Sequence, residues 1–235
     1  MKIREEALVD LGTLLLRKIQ LGSWEEQLVT LEEDLEQLQI ELTLRESEAS
    51  RWKEPNFLLR LVDPSGKKQD AALTRMREAK SNVSSVKWEL EQLQQRMAEA
   101  REEAALLHPV QEQMSSLLPL QEAEYGSFLP AALEAVNWCI DSLTAARPYV
   151  RRDTNSKRIG VESRRMELLA QTQIAGQYLH DLLQLMPALS LSIPAGLQNP
   201  EPYIRAVTSP YGQLDRLNGI LEDLYPLRTR LKEWS

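Results

Sequence analysis

The chain of 235 residues and 26.9 kDa is long enough for one large or two small domains around a substantial core. Its 43% hydrophobic and 27% charged residues exclude a disordered acidic chain and a membrane channel, and a net charge of -7 with a pI of about 5.1 argues against a surface that grips nucleic acid throughout. With 9 Gly and 2 Phe set among runs of Leu, Glu, Gln, Ala and Arg, there is little material for tight hairpin turns or aromatic-rich sheets, so the expected class is all-α.

Residues 1–20 place Ile3, Ala7, Leu8, Leu11, Leu15 and Ile19 on one stripe, which predicts an amphipathic helix that packs on the C-terminal part or continues into the segment that follows. A membrane-surface helix is the other use of such a stripe. Ser23, followed by Glu25 and Glu26, suits a helix start or a junction.

From Leu21 a heptad takes over through Trp24, Leu28, Leu31, Leu35, Leu38, Leu42, Arg45, Ala49 and Trp52. A second runs through Gln69, Ala72, Met76, Ala79, Val83, Val86, Leu90, Leu93, Met97, Ala100, Ala104 and Leu107. Two apolar seams joined by a short link predict a long antiparallel coiled-coil hairpin over 21–108, a stalk with its tip at 53–68. Facing residues in such a hairpin have a constant index sum, and a sum of 121 sets each a position on a d position: Leu28 on Leu93, Leu35 on Val86, Leu42 on Ala79. Sums of 114 and 128 also keep a against d, so the register stays open at this point.

Beyond Leu107, prolines at 109, 119, 130, 148, 187, 194, 200, 202, 210 and 226 divide the chain into shorter pieces. Leu129, Leu133, Val136, Ile140 and Leu143 form one stripe. Val161, Leu168, Ala175, Leu179, Leu182 and Met186 form another, flanked by Ile174 and Tyr178 so that its buried face is wide. Residues 187–202 read as a Pro-punctuated connector, after which Ser209 and Pro210 open a last helix with Leu214, Leu217, Leu221 and Leu224. Residues 109–235 are therefore expected to form a helical bundle.

No catalytic, cofactor or metal-ligating set is expected. The histidines are His108 and His180, and the residues three before them are Ala105 and Gln177, so the Glu-x-x-His pairs of carboxylate-metal bundles are missing. There is no phosphate-binding loop, nucleophile elbow or cysteine pair. His180 beside Asp181 resembles a base and its orienter, but neighbours on a helix point about 100 degrees apart. The remaining enzyme or small-ligand reading rests on Tyr178, His180 and Asp181. Cys139 lies on an apolar stripe, where a buried thiol is expected. A single cysteine forms no intramolecular disulfide and points to a reducing compartment. Glu5, Glu6 and Asp10 interrupt the N-terminal region, which does not read as an export signal, and the expected location is cytoplasmic or peripheral at the membrane.

Two surfaces carry the functional candidates. The tip holds Trp52, Phe57, Leu58, Leu59, Leu61 and Val62 where loops are normally polar. These side chains either cap the last heptad layer, dock a protein partner or another copy, or enter a membrane with help from Lys53, Arg60, Lys67 and Lys68. The second surface is Arg147, Arg151, Arg152, Lys157, Arg158, Arg164 and Arg165 against Asp153 and Glu162, a net +5 in an acidic chain. It either neutralises acidic faces or contacts anionic lipid; nucleic acid is disfavoured because Tyr149 alone offers a stacking ring.

The long heptad arm, the tip Trp52-Lys53-Glu54-Pro55-Asn56-Phe57-Leu58 and the return helix opening through Ala71, Leu73, Met76, Glu78, Ala79 and Lys80 resemble uncharacterised coiled-coil-hairpin proteins of Gram-positive bacteria over residues 21–107. The resemblance implies a bacterial cytoplasmic protein of unknown function and brings no catalytic residues. The expectation is a non-enzymatic scaffold or adaptor without cofactor or metal that binds a protein partner or itself. A peripheral membrane protein and a small-ligand binder or enzyme in the C-terminal bundle are the alternatives.

Overall fold

The computed structural model describes residues 2–53, 66–105, 110–151 and 159–235, and every regular element among them is helical. In chain order these are α1 (Lys2–Lys53), α2 (Lys67–Ala105), α3 (Val110–Ser116), a 3-10 turn (Glu122–Ser127), α4 (Leu129–Arg151), α5 (Ile159–Leu185), a second 3-10 turn (Pro187–Leu189), α6 (Pro200–Arg205) and α7 (Pro210–Trp234). The chain is an all-α antiparallel hairpin plus a C-terminal bundle. It divides into two compact units, Trp24–Glu99 and Met1–Ser23 with Ala100–Ser235, so the divisions fall inside α1 and α2. Ser23 starts no helix, since α1 runs through it, but it stands at the junction of the two units.

The hairpin unit owes its long helices to composition. Neither Gly nor Pro occurs from Trp24 to Lys53 or from Lys67 to Ala105, and Leu, Glu, Gln, Ala and Arg are strong helix formers. Ala49, Ala72, Ala79, Val83, Leu93 and Met97 are buried, and Leu28, Leu31, Leu35, Leu38 and Leu42 are half-buried; all are seam positions. The register follows from one ion pair across the arms, Arg75 Nη1 to Glu48 Oε1 at 3.7 Å. At about 1.5 Å rise per residue, an index sum of 121 puts these two residues about 3 Å apart along the axis, whereas 128 gives about 7.5 Å and 114 about 13.5 Å. The sum of 121 sets the pair closest in level.

In the other unit α4 is central, packing on α5, on α7 and on the first 3-10 turn. It is buried almost all round through Ala131, Ala132, Ala135, Val136, Cys139, Leu143 and Ala146, so its apolar face is far wider than the single stripe read from periodicity. Leu8, Leu11, Leu15 and Ile19 of α1 join the same core. α1 comes in close at two glycines. A Cβ on Gly12 would lie 2.1 Å from the Ser127 carbonyl oxygen, and one on Gly22 would lie 2.3 Å from the Trp138 ring, so any side chain there pushes the helix off. In the same unit Arg17 Nε meets Glu103 Oε2 at 2.8 Å, tying α1 to α2.

Three readings need correction. Pro148 and Pro226 do not divide the chain; they lie within α4 and α7. Both face solvent, as do Thr144 and Glu222, the residues whose carbonyls lose their helical partners, so water can satisfy those oxygens. Ile174 does not widen the buried face of α5 but is 50% exposed; Leu169, Thr172 and Leu183 are buried instead. The connector 187–202 contains the second 3-10 turn and opens α6 with Pro200 in its first turn; Leu197 and Ile204 are fully buried there.

Candidate interaction surfaces

In the hairpin, the seam uses positions a and d, leaving two faces with the outer f positions between them. The g/c side is the one the Glu48–Arg75 pair bridges, since both residues stand at g. On that side Arg45 also reaches Glu41 and Glu48, each at 3.3 Å, so that four charges form one chain of contacts. These carboxylates raise the Arg45 pKa still further, Glu48 contributing most. The b/e side carries Glu25, Glu32, Glu36 and Glu46 on α1, and on α2 Arg77, Lys80 and Lys87 together with Asp70 and Glu91, all exposed. Over 24–53 the first arm has a net charge of -6, and over 67–99 the second has +2.

Large apolar side chains also stand off the seam. Ile40 is 58%, Leu44 64% and Trp88 62% exposed. The a and d periodicity does not mark them; an apolar residue at c or f of a heptad is the signal that does. Of the tip residues, Trp52 is half-buried at the last layer before the end of α1. Phe57, Leu58, Leu59, Leu61 and Val62 lie outside the described residues.

The basic segment does not act as one patch among the described residues. Arg147 is exposed, Arg151 ends α4, and Arg152, Lys157 and Arg158 lie outside the described residues. Arg164 pairs with Glu167 at 2.9 Å. Arg165 is buried at 6% exposure and belongs to a closed ring: its Nη2 meets Glu162 at 2.6 Å and Glu201 at 3.3 Å, and Arg205 contacts the same two carboxylates. The ring fastens α5 to α6. Only the Glu162 contact, three residues away, could be guessed from sequence; Glu201 and Arg205 sit in what read as connector.

Tyr178, His180 and Asp181 do not converge. His180 lines a 350 Å³ cleft with Ser192 and Gln198, while Asp181 lines a 310 Å³ cleft with Met114, Ser115 and Pro119; Gln184 borders both. Asp181 accepts a hydrogen bond from Gln177 at 2.7 Å, and Tyr178 is buried with Lys18 5.9 Å above its ring. Burial, and next the Asp181 charge, raise the Tyr178 pKa. Cys139 is fully buried, and desolvation drives its pKa far above that of a free thiol, which keeps it protonated and unreactive. A 630 Å³ groove runs between α1 and α3, lined by Ala7, Leu8, Leu11, Leu117 and Leu118, with Asp10 on its wall.

No group of three or more metal-ligating side chains is found among the described residues, and no described helix is long and apolar enough to cross a membrane. Comparison with protein-family models, curated proteins and solved structures gives no match.

Proposed function

We propose that the chain is a non-enzymatic helical scaffold or adaptor whose hairpin holds a protein partner or a second copy of itself. The observation that supports this best is the outer surface of the hairpin: its seam is closed, yet Ile40, Leu44 and Trp88 stand more than half exposed on the arms. Side chains of that size usually mark contact surfaces when they recur on one element. The tip residues Phe57, Leu58, Leu59, Leu61 and Val62 with Trp52 supply a second contact in this reading. No catalytic residue, cofactor or metal takes part in it.

The test combines a photo-crosslinking residue at position 59 in source cells with binding of the purified crosslinked protein to the native chain and to a Phe57→Asp/Leu58→Asp variant of unchanged helicity. A specific partner whose affinity falls at least about tenfold in the variant supports the proposal. Co-sedimentation with anionic vesicles, salt-sensitive and lost in the same variant, would overturn it in favour of a peripheral membrane protein.

A further inference from the structure

We propose that a second copy of the chain docks on the b/e face of the hairpin, its Arg77, Lys80 and Lys87 against Glu32, Glu36 and Glu46 of the first, to form a four-helix arrangement with a two-fold axis along the hairpin. The inference deepens the proposed function by naming the partner and the face, and rests on the reading of the hairpin as a contact element. It does not involve the tip.

The two faces differ in how their charges are met. On the g/c side Glu41, Arg45, Glu48 and Arg75 satisfy one another. On the b/e side Glu32, Glu36 and Glu46 of arm 1 and Arg77, Lys80 and Lys87 of arm 2, all exposed, make no ion pair or side-chain hydrogen bond among the described residues. Opposite charges facing the same way on two packed helices, each unmatched among the described residues, call for a surface of the reverse pattern.

The register shows that this hairpin is itself such a surface. With an index sum of 121, Glu32 stands level with position 89 and Glu36 with position 85, which bracket Lys87; Glu46 stands level with position 75, two residues from Arg77. A two-fold axis along the hairpin sets arm 1 of each copy against arm 2 of the other at the same level, so Glu32 and Glu36 meet Lys87 and Glu46 meets Arg77 twice over, while Glu91 of arm 2, level with position 30, is the like charge that Lys87 has to outweigh beside Glu32. A two-fold axis across the hairpin that stacks arm 1 on arm 1 would set acid on acid. Apolar material lies on the same face, Val29 at b and Leu73 at e, both half-buried, with Trp88 at the neighbouring f position beside Lys87. An interface of this composition is polar, reversible and weakened by salt.

Sedimentation equilibrium of the full chain tests the idea at about 20 mM and about 500 mM salt. The native chain should dimerise at low salt, with a dissociation constant at least about tenfold weaker at high salt. Glu32→Lys/Glu36→Lys/Glu46→Lys and Arg77→Glu/Lys80→Glu/Lys87→Glu should each be monomeric, and an equimolar mixture of the two should form heterodimers. Circular dichroism checks the fold; should a triple reversal lower helicity, the neutral pair Glu36→Gln/Lys87→Gln carries the same comparison against the native chain. A native chain that stays monomeric at about 100 µM in low salt, a triple variant that still dimerises, or a mixture that remains monomeric would each overturn the proposal. The Phe57→Asp/Leu58→Asp variant should dimerise like the native chain, which separates failure of this inference from failure of the tip contact.

Discussion

In the unit built around α4, Leu15, Ile19, Phe128, Leu143, Leu168 and Leu179 lose all contact with solvent, whereas in the hairpin the seam leucines of arm 1, from Leu28 to Leu42, stay half-buried. The difference follows from the number of neighbours. A helix in a pair covers one stripe, while α4 is enclosed on several sides by α5, α7 and the first 3-10 turn. The bundle therefore draws its stability from deep packing at a few positions, and the hairpin from a shallow seam repeated over many turns. A shallow seam also leaves most of each arm available to something else.

Truncation of equivalent side chains should expose this contrast most strongly. Phe128→Ala removes a ring at 0% exposure and should cost about 3–5 kcal/mol in chemical denaturation. Leu35→Ala should cost only about 1–2 kcal/mol, because part of its surface is already wet. Equal losses would erase the distinction between the units.

Ion pairs offer a second and smaller contrast. Arg165 is buried between Glu162 and Glu201, so Arg165→Met leaves both carboxylates to Arg205 alone and should cost about 1–2 kcal/mol. Arg45→Met, made in the exposed Glu41–Arg45–Glu48 contacts, should leave stability unchanged at high salt. A ring whose loss goes unnoticed would mean that α6 is held by Leu197 and Ile204 alone.

The same contrast explains what could be read from sequence. The hairpin was legible because its structure is periodic: seam positions recur every three or four residues, and a constant index sum links the arms. The bundle was legible only as helices. Its critical contacts join residues far apart in the chain, as Glu162 with Arg205 or Tyr125 with Ala188, whose N–H donates to the Tyr125 hydroxyl at 3.1 Å. Periodicity carries no record of such contacts, and proline positions misled where a proline sits on a solvent-facing turn of a helix. Composition singles out the tip and the basic segment, yet Arg164 and Arg165 are matched by Glu167, Glu162 and Glu201.

The smallest expected effect concerns carboxylates on the half-buried side of α4. Burial, and next the charge of Asp141, raise the pKa of Glu134; burial likewise raises that of Asp141, with Arg228 opposing. A carboxyl whose folded pKa lies above its unfolded value binds more protons when folded, so stability from these groups increases as pH falls from neutrality through the raised values and levels off below the ordinary carboxylate range. Glu134→Gln removes the charge that burial penalises. It should stabilise the chain at pH 7 by at most about 1 kcal/mol, the ceiling for a partly solvated charge, and the gain should shrink as pH falls through the raised Glu134 pKa. Thermal denaturation of both proteins from pH 7 downward checks the sign. A variant less stable at pH 7 would show that the Glu134 carboxylate is held by a cation, with Arg228 the first to be tested by substitution.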